Sequence, residues 1–212
     1  FIHLPDAFDN FGDVPASEVY RAAAAHAAAH LVETRMPISA EGLNPMQMAV
    51  ISVIEDARIE ELSIRRFPGL RRTWAALHTA TPEMRASMGD YLNRLARALL
   101  DPEYSDEDEW IVEGRRLFKS AQDKLDTHLT SWEIGVQLAH SFRDRNLPFN
   151  PRTDVLSAPY RDDNRYFWEF EEFDFDKAAS AGYEAPRQVR KYVNVMEFAN
   201  EIDVETAGDD AQ

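Results

Sequence analysis

The sequence predicts a mostly α-helical fold. Apolar residues recur at three- to four-residue spacing through most of the first 145 residues, residues typical of helix ends punctuate these stretches, and strand-like alternation is scarce. We therefore expect a multi-helix domain over residues 1–145. Residues 146–212 should form an irregular connector, an aromatic-acidic segment and a final helix.

The first two long helices are predicted from their start and stop signals. Ser17 opens a segment centred on the alanine-rich run 21–31, which has high helix propensity and few bulky side chains. Asn44-Pro45 combines a good N-cap with proline at the first helical position. This second helix should end at Phe67-Pro68-Gly69, and a short helix over 70–78 should follow.

Three more helices are predicted before residue 145. Thr81-Pro82 opens one that Asp101-Pro102 ends. Ser105 should cap the next, with acidic residues at the positive end of the helix dipole. Thr130 and Glu133 form a capping-box pattern at the start of the third.

The composition changes after residue 145. Residues 146–159 contain three prolines and predict an irregular connector. Residues 160–176 interleave aromatic and acidic side chains, which either cap the helical domain or form a docking strip for a basic partner. A last helix is predicted over about 187–205.

Charge and composition argue against several functions. The net charge of −15 should repel phosphate backbones, so nucleic-acid binding is not expected. No apolar run approaches the ~20 residues of a membrane-spanning helix, and no secretory signal is visible. The chain has no cysteine, which suits a cytoplasmic protein. It has neither G-x-x-x-x-G-K-[ST] nor G-x-G-x-x-G, so we do not expect it to bind ATP itself.

The sharpest chemical feature is the pair His26 and His30. Histidines at positions i and i+4 lie on one face of a helix and can share a metal ion, as in the H-E-x-x-H helix of zinc peptidases. Those enzymes need a glutamate directly after the first histidine, and Ala27 stands there. A working hydrolase is therefore not favoured, although a zinc site completed by a carboxylate such as Asp56 is one hypothesis.

The second helix carries three carboxylates, Glu55, Asp56 and Glu60. Like charges at i and i+4, as in Asp56 and Glu60, cost roughly a few tenths of a kcal/mol unless a cation compensates. That cation is either an arginine, in a structural salt-bridge network, or a bound metal. The network is favoured because arginines are plentiful nearby, namely Arg58, Arg65, Arg66, Arg71 and Arg72.

Several strings together resemble one protein family. They are Leu4-Pro5-Asp6-Ala7-Phe8-Asp9 with Phe11-Gly12-Asp13, Tyr20-Arg21-Ala22-Ala23-Ala24-Ala25-His26-Ala27-Ala28-Ala29-His30, Ile54-Glu55-Asp56-Ala57-Arg58-Ile59-Glu60, Arg66-Phe67-Pro68-Gly69-Leu70 followed by Trp74, and Pro159-Tyr160-Arg161-Asp162-Asp163-Asn164-Arg165-Tyr166 with Trp168-Glu169. The combination resembles the region that precedes the von Willebrand factor A domain in the nitric oxide reductase activation and Rubisco activation proteins. The resemblance is densest in residues 4–74 and 159–170.

The resemblance implies a non-catalytic adaptor whose partner is a hexameric AAA+ ATPase of the MoxR type, with ATP bound only by that partner. In the family, the von Willebrand factor A domain grips the client enzyme through a D-x-S-x-S motif. That motif is absent here, and the chain begins at Phe1 rather than Met. We therefore expect a piece of a longer adaptor that contacts its client, Rubisco or nitric oxide reductase, through a domain outside this chain.

Two sets of residues are candidates for contact with the ring. The first is the exposed members of Glu55, Asp56, Arg58 and Glu60, and the second is the strip containing Arg161, Asp162, Asp163 and Trp168. The alternative function is a metal-binding protein or metallohydrolase built on His26, His30 and a carboxylate such as Asp56. A plain structural subunit is the third hypothesis.

Overall fold

The computed structural model describes residues 4–34, 37–142, 145, 147–162, 164 and 167–170. These residues form helices α1 (Ala16–Glu33), α2 (Pro45–Arg66), α3 (Gly69–Ala75), α4 (Met88–Leu100), α5 (Glu109–Ser120) and α6 (Leu129–Ser141), with the two-residue strands β1 (Ile38–Ser39) and β2 (Trp168–Glu169). The mostly α-helical prediction is confirmed. No helix in the described ranges is both long and apolar enough to cross a membrane.

Helix α2 is the centre of the fold. Its capping box was predicted in part: Asn44 Oδ1 accepts a hydrogen bond from the backbone N–H of Gln47, and Gln47 Oε1 accepts one from the backbone N–H of Asn44. Helices α1, α3, α4 and α6 all pack on α2. Its middle turns are therefore covered on every side, and nearly every residue from 50 to 60 is buried.

Helix α6 lies directly on α2 because a glycine stands at the contact. A Cβ placed on Gly135 would lie 2.5 Å from Cγ1 and 2.7 Å from Cα of Ile51. No larger residue fits that space without moving one of the helices. Gly135 thus fixes the distance at which α6 covers the middle of α2.

Apolar side chains form three buried clusters. The largest lies among α2, α4, α5 and α6, and includes Ile54, Leu92, Leu95, Trp110, Ile111, Leu138 and Phe142. The second packs α1 against α3, and includes Val19, Ala22, Trp74, Leu77 and Tyr160, with Leu4, Phe8 and Phe11 packed against it. The third joins Ile38, Ile51, Phe167 and Trp168.

Three helix starts differ from those predicted. Helix α4 begins after Ser87 rather than at Thr81, because Ser87 Oγ and the Asp90 carboxylate form a reciprocal capping box. Helix α5 begins after Asp108, whose Oδ1 accepts a hydrogen bond from the backbone N–H of Trp110, and not after Ser105. Helix α6 already contains Thr130, whose hydroxyl donates to the carbonyl of Lys124 instead of capping the helix.

The segment after α6 packs back on the helices. Strand β2 pairs in parallel with β1, with Ile38 opposite Trp168 and Ser39 opposite Glu169, a pairing that the sequence did not predict. One compact unit spans Phe1–Phe170 and so extends past the boundary expected at residue 145. The helix predicted over 187–205 lies outside the described residues.

Candidate functional site

His26 and His30 face the interior between α1 and α2. Each is 1% exposed, and their rings meet edge to face with centroids 4.7 Å apart. Their four-residue spacing puts both on one face of α1, as predicted. Small side chains beside them, such as Ala23 and Ala27, are also buried. The alanines let the backbones of α1 and α2 approach closely, which brings the imidazoles within reach of carboxylates.

Asp56 of α2 lies opposite both imidazoles. Its Oδ1 is 3.2 Å from His30 Nε2 and 3.8 Å from His26 Nε2. The same oxygen accepts a 2.7 Å hydrogen bond from Asn164 Nδ2. Candidate ligand atoms of the three residues lie within 4.8 Å of one another. The structure thus brings together the predicted trio of His26, His30 and Asp56.

Arg161 supplies the cation for the like-charge pair of α2. Its Nη2 lies 2.7 Å from Glu60 Oε2 and its Nε 3.0 Å from Oε1, while its Nη1 lies 3.6 Å from Asp56 Oδ2. The hydroxyl of Tyr160 also donates to Glu60 Oε1, at 2.9 Å. An arginine network was favoured from the sequence, but the arginine comes from residue 161 and not from the five candidates near α2.

The surroundings of Asp56 and Glu60 favour the ionised form of both carboxylates. Burial alone would raise the pKa of Glu60, but the charge of Arg161 and the contact with His26 outweigh it and hold that pKa far below its usual range. Burial likewise opposes ionisation of Asp56, and Arg161 together with His30 and His26 holds the pKa of Asp56 below normal. The cluster therefore contains two buried negative charges beside one guanidinium.

The hydrogen bonds of Thr34 place a proton on Nδ1 of His30. The hydroxyl of Thr34 donates to Glu55 Oε1 at 2.7 Å, and His30 Nδ1 lies 3.0 Å from that hydroxyl oxygen. Because the hydroxyl proton is used for Glu55, the oxygen accepts from Nδ1–H of His30. Nε2 of the same ring lies within hydrogen-bond distance of Asp56 Oδ1, at 3.2 Å.

The ring of His26 lies between the carboxylates of Asp56 and Glu60. Its Nδ1 lies 3.2 Å from Glu60 Oε1, and its Nε2 faces Asp56. Neither ring nitrogen makes a hydrogen bond of good geometry. Within the described part of the chain, Asp56 Oδ2, Arg161 Nη1 and Asn164 Oδ1 are also buried without a hydrogen-bond partner. Such atoms are uncommon in proteins, and each one indicates a missing partner or a cost in stability.

Glu55 belongs to a different network on α2. Arg58 donates to both oxygens of Glu55 at 2.7 Å and to the carbonyls of Leu125 and Glu33. Thr34 and Ser131 also donate to Glu55, so this network joins α1, α2 and α6. Every polar group in it has a partner, which is the arrangement of a structural salt bridge.

The structure corrects the predicted docking residues. Glu55, Asp56, Arg58 and Glu60 are all buried, at most 1% exposed, because other helices cover α2. The set contains no exposed member that a partner could contact. In the second set, Arg161 and Trp168 are buried and Asp162 is exposed. Asp163 lies outside the described residues.

Sequence reasoning missed Asn164, Thr34 and His78. His78 Nε2 lies 2.9 Å from the Tyr160 oxygen, whose own proton goes to Glu60, so the neutral ring donates to Tyr160. Burial, reinforced by the charge of Arg161, lowers the pKa of His78 to about 3. No spacing in the sequence links these residues to the histidine pair.

Comparison with known proteins adds no relative. No family model, curated protein or solved structure matches the chain.

Proposed function

We propose that this chain is a non-catalytic adaptor module that docks on a hexameric MoxR-type AAA+ ATPase and helps to activate a client enzyme, Rubisco or nitric oxide reductase. One observation carries the proposal. The strings by which the chain resembles the adaptor family are far apart in sequence but adjacent in space. His26 and His30 come from one string, Asp56 and Glu60 from another and Arg161 from a third, and all five meet in one buried cluster.

The other resembling strings lie beside that cluster. Leu4, Phe8 and Phe11 pack against the apolar cluster that contains Trp74 and Tyr160. The indole N–H of Trp74 donates to the carbonyl of Ala22 in α1 at 3.0 Å. Segments that resemble one family and also depend on one another for packing are what an inherited module would contain, which supports the proposed relation to the adaptors.

The buried strings would set the shape of the module, and the ring would contact exposed residues. We assign that contact to Asp162, Glu169 and Phe170, which we name the contact strip. All three are exposed, and Phe170 shows 53% of its surface. An aromatic anchor with acidic neighbours suits a basic partner surface. The strip keeps Asp162, the exposed residue among the described members of the second predicted set.

In this proposal the chain itself performs no chemistry. ATP hydrolysis by the ring would supply the work in the cytoplasm, and the adaptor would transmit it to the client held by a domain outside this chain. A metallohydrolase activity is not favoured, because Ala27 stands where the general base of the H-E-x-x-H peptidases would be.

The direct test is size-exclusion chromatography of the chain with the MoxR-type ATPase from its own gene neighbourhood, with and without ATP. We expect co-elution that depends on nucleotide. A chain that is folded by circular dichroism but fails to co-elute in either state would refute docking by this module.

A pair of matched variants tests the contact strip. Asp162→Asn together with Phe170→Ala should weaken binding by about tenfold, because an aromatic anchor and a rim charge are both lost. Glu107→Gln also removes one exposed negative charge, but lies outside the strip, and should leave binding unchanged. Equal effects of the two changes would place the contact elsewhere.

A further inference from the structure

We infer that His26, His30 and Asp56 bind one divalent transition-metal ion of the zinc class. This site is separate from the contact strip and does not depend on the adaptor role. The three residues are buried, come from two helices and place candidate ligand atoms within 4.8 Å of one another.

The distances fit such an ion. Zinc binds histidine nitrogen and carboxylate oxygen at about 2.0–2.2 Å, so neighbouring ligands of a tetrahedral ion lie roughly 3.3–3.5 Å apart. Asp56 Oδ1 is 3.2 Å from His30 Nε2 and 3.8 Å from His26 Nε2. Small side-chain rotations would bring both pairs to the ideal separation.

The groups behind the two imidazole rings also suit metal-bound histidines. Nδ1 of His30 faces the hydroxyl oxygen of Thr34, and Nδ1 of His26 faces Glu60. Nε2 of each ring faces Asp56 Oδ1, at 3.8 Å for His26 and 3.2 Å for His30. A ring nitrogen and a carboxylate oxygen at such distances can be joined by a proton or by a metal ion bound to both. Metal-bound histidines commonly have such a carboxylate or hydroxyl behind the ring.

The balance of buried charged groups is compatible with a further cation. Asp56 and Glu60 carry two negative charges, and Arg161 supplies one positive charge. Either an imidazolium proton or a metal ion could balance the remaining negative charge. Two imidazoles and one carboxylate select zinc-like ions over magnesium or calcium, which prefer oxygen ligands.

A second observation points to a ligand at the same place. Both ring nitrogens of His26 and Oδ2 of Asp56 are buried without a hydrogen-bond partner among the described residues. The Oδ1 atom of Asn164 is also unpartnered, while its Nδ2 holds Asp56. A metal ion would satisfy His26 Nε2, which faces Asp56 Oδ1, while Asp56 Oδ2 faces Arg161 and Asn164 would orient the carboxylate from the outer shell.

The ion would have a structural role. It would join α1 to α2, and the absence of a glutamate at position 27 removes the base that a zinc peptidase needs. Binding should therefore raise the melting temperature, by about 5–10 °C when the free metal exceeds its Kd a hundredfold.

The test is metal binding by the full chain. Protein stripped with a chelator is titrated with Zn²⁺ by calorimetry and with Co²⁺ by visible absorption. We expect one ion per chain and a Co²⁺ spectrum of four- or five-coordinate nitrogen and oxygen ligands. His26→Gln should weaken Zn²⁺ binding at least a hundredfold. The matched control His140→Gln removes an exposed histidine and should bind as the original chain does.

Two outcomes would overturn the site: no uptake of either ion by the original chain, or uptake that survives His26→Gln. If that variant is unfolded, histidine ¹H–¹⁵N spectra of the original chain decide instead. Zn²⁺ should shift the ring signals of His26 and His30 and leave those of His140 in place. Shifts confined to exposed histidines would mean that protons, not a metal, balance the buried charge.

Discussion

Two buried charge clusters lie side by side on α2 and differ in how well they are satisfied. In the first, Glu55 and Arg58 use every polar atom in hydrogen bonds to one another, to side chains and to carbonyls. In the second, His26, Asp56 and Arg161 retain buried atoms without partners. We call them the closed cluster and the open cluster.

The difference separates a structural role from a binding role. Glu55 and Asp56 are neighbours in sequence, but successive helix positions point about 100° apart, so each joins a different set of partners. The closed cluster already has all the groups it needs to hold α1, α2 and α6 together. The open cluster keeps buried polar atoms without hydrogen-bond partners, which is the arrangement of a site that can bind a cation.

The largest effect should come from removing the cation of the open cluster. Arg161→Met leaves Glu60 and Asp56 buried without their guanidinium, and should cost about 3–5 kcal/mol of unfolding free energy. Urea unfolding of chelator-treated protein measures it. Arg116→Met breaks only an exposed pair with Glu113 and should change little. A loss as small as that of the control would show that Arg161 is not a necessary counter-charge.

The second largest effect is expected on the pH dependence of the unfolding free energy, through His78 at the edge of the open cluster. The folded pKa of His78 is lowered to about 3, so between that value and about 6.5 the unfolded chain binds a proton that the folded chain does not. His78 therefore contributes stability above pH 6.5 that is lost as the pH falls, by up to about 1.4 kcal/mol per pH unit. Urea unfolding at pH 7, 6 and 5 should show a shallower decline for His78→Gln than for the original chain. Parallel declines would contradict the prediction.

A smaller loss of unfolding free energy should follow when one hydrogen bond of the closed cluster is removed. The hydroxyl of Ser131 is buried and donates to Glu55 at 2.8 Å. Ser131→Ala should cost about 1–3 kcal/mol, because a buried carboxylate loses a hydrogen bond. Ser120→Ala, whose exposed hydroxyl donates to a backbone carbonyl, is the matched control. Equal small losses of unfolding free energy in Ser131→Ala and Ser120→Ala, measured by thermal or urea unfolding, would contradict the prediction.

The smallest effect is expected for an apolar replacement in the open cluster. His26 packs against His30, Trp74 and Tyr160 but makes no hydrogen bond of good geometry. In chelator-treated protein, His26→Leu should change the unfolding free energy by less than about 1 kcal/mol, because the ring nitrogens make no hydrogen bond of good geometry and Arg161 still pairs with Glu60. A loss above about 2 kcal/mol would mean that the ring is bonded in solution and that the cluster is closed.

Local signals predicted much of this architecture. The helix propensity of the alanine run located α1, Asn44 and Pro45 located the start of α2, and the spacing of His26 and His30 put both on one face. Each of these inferences depends on residues within a few positions of one another. The start of α4 was missed because Ser87 and Asp90 form a better cap than Thr81 and Pro82.

Long-range partners could not be predicted. The sequence could not tell which acidic positions of α2 are exposed, and only the tertiary fold shows that α1 and α6 cover them. Arg161 neutralises Glu60 across 101 residues, and no periodicity relates the two. The strands β1 and β2 are two residues long, too short for an alternating pattern to reveal.

The separation of Glu60 and Arg161 has a consequence for synthesis of the chain. A ribosome adds about 5–20 residues per second, so Glu60 is made roughly 5–20 s before the guanidinium that neutralises it. During that interval α1 and α2 cannot bury their carboxylates at low cost, and these acids stay in water. We therefore expect α1 and α2 to stay loosely associated until the segment around residue 161 has been synthesised. Tight packing of the unit would then follow only after nearly all of it has been translated.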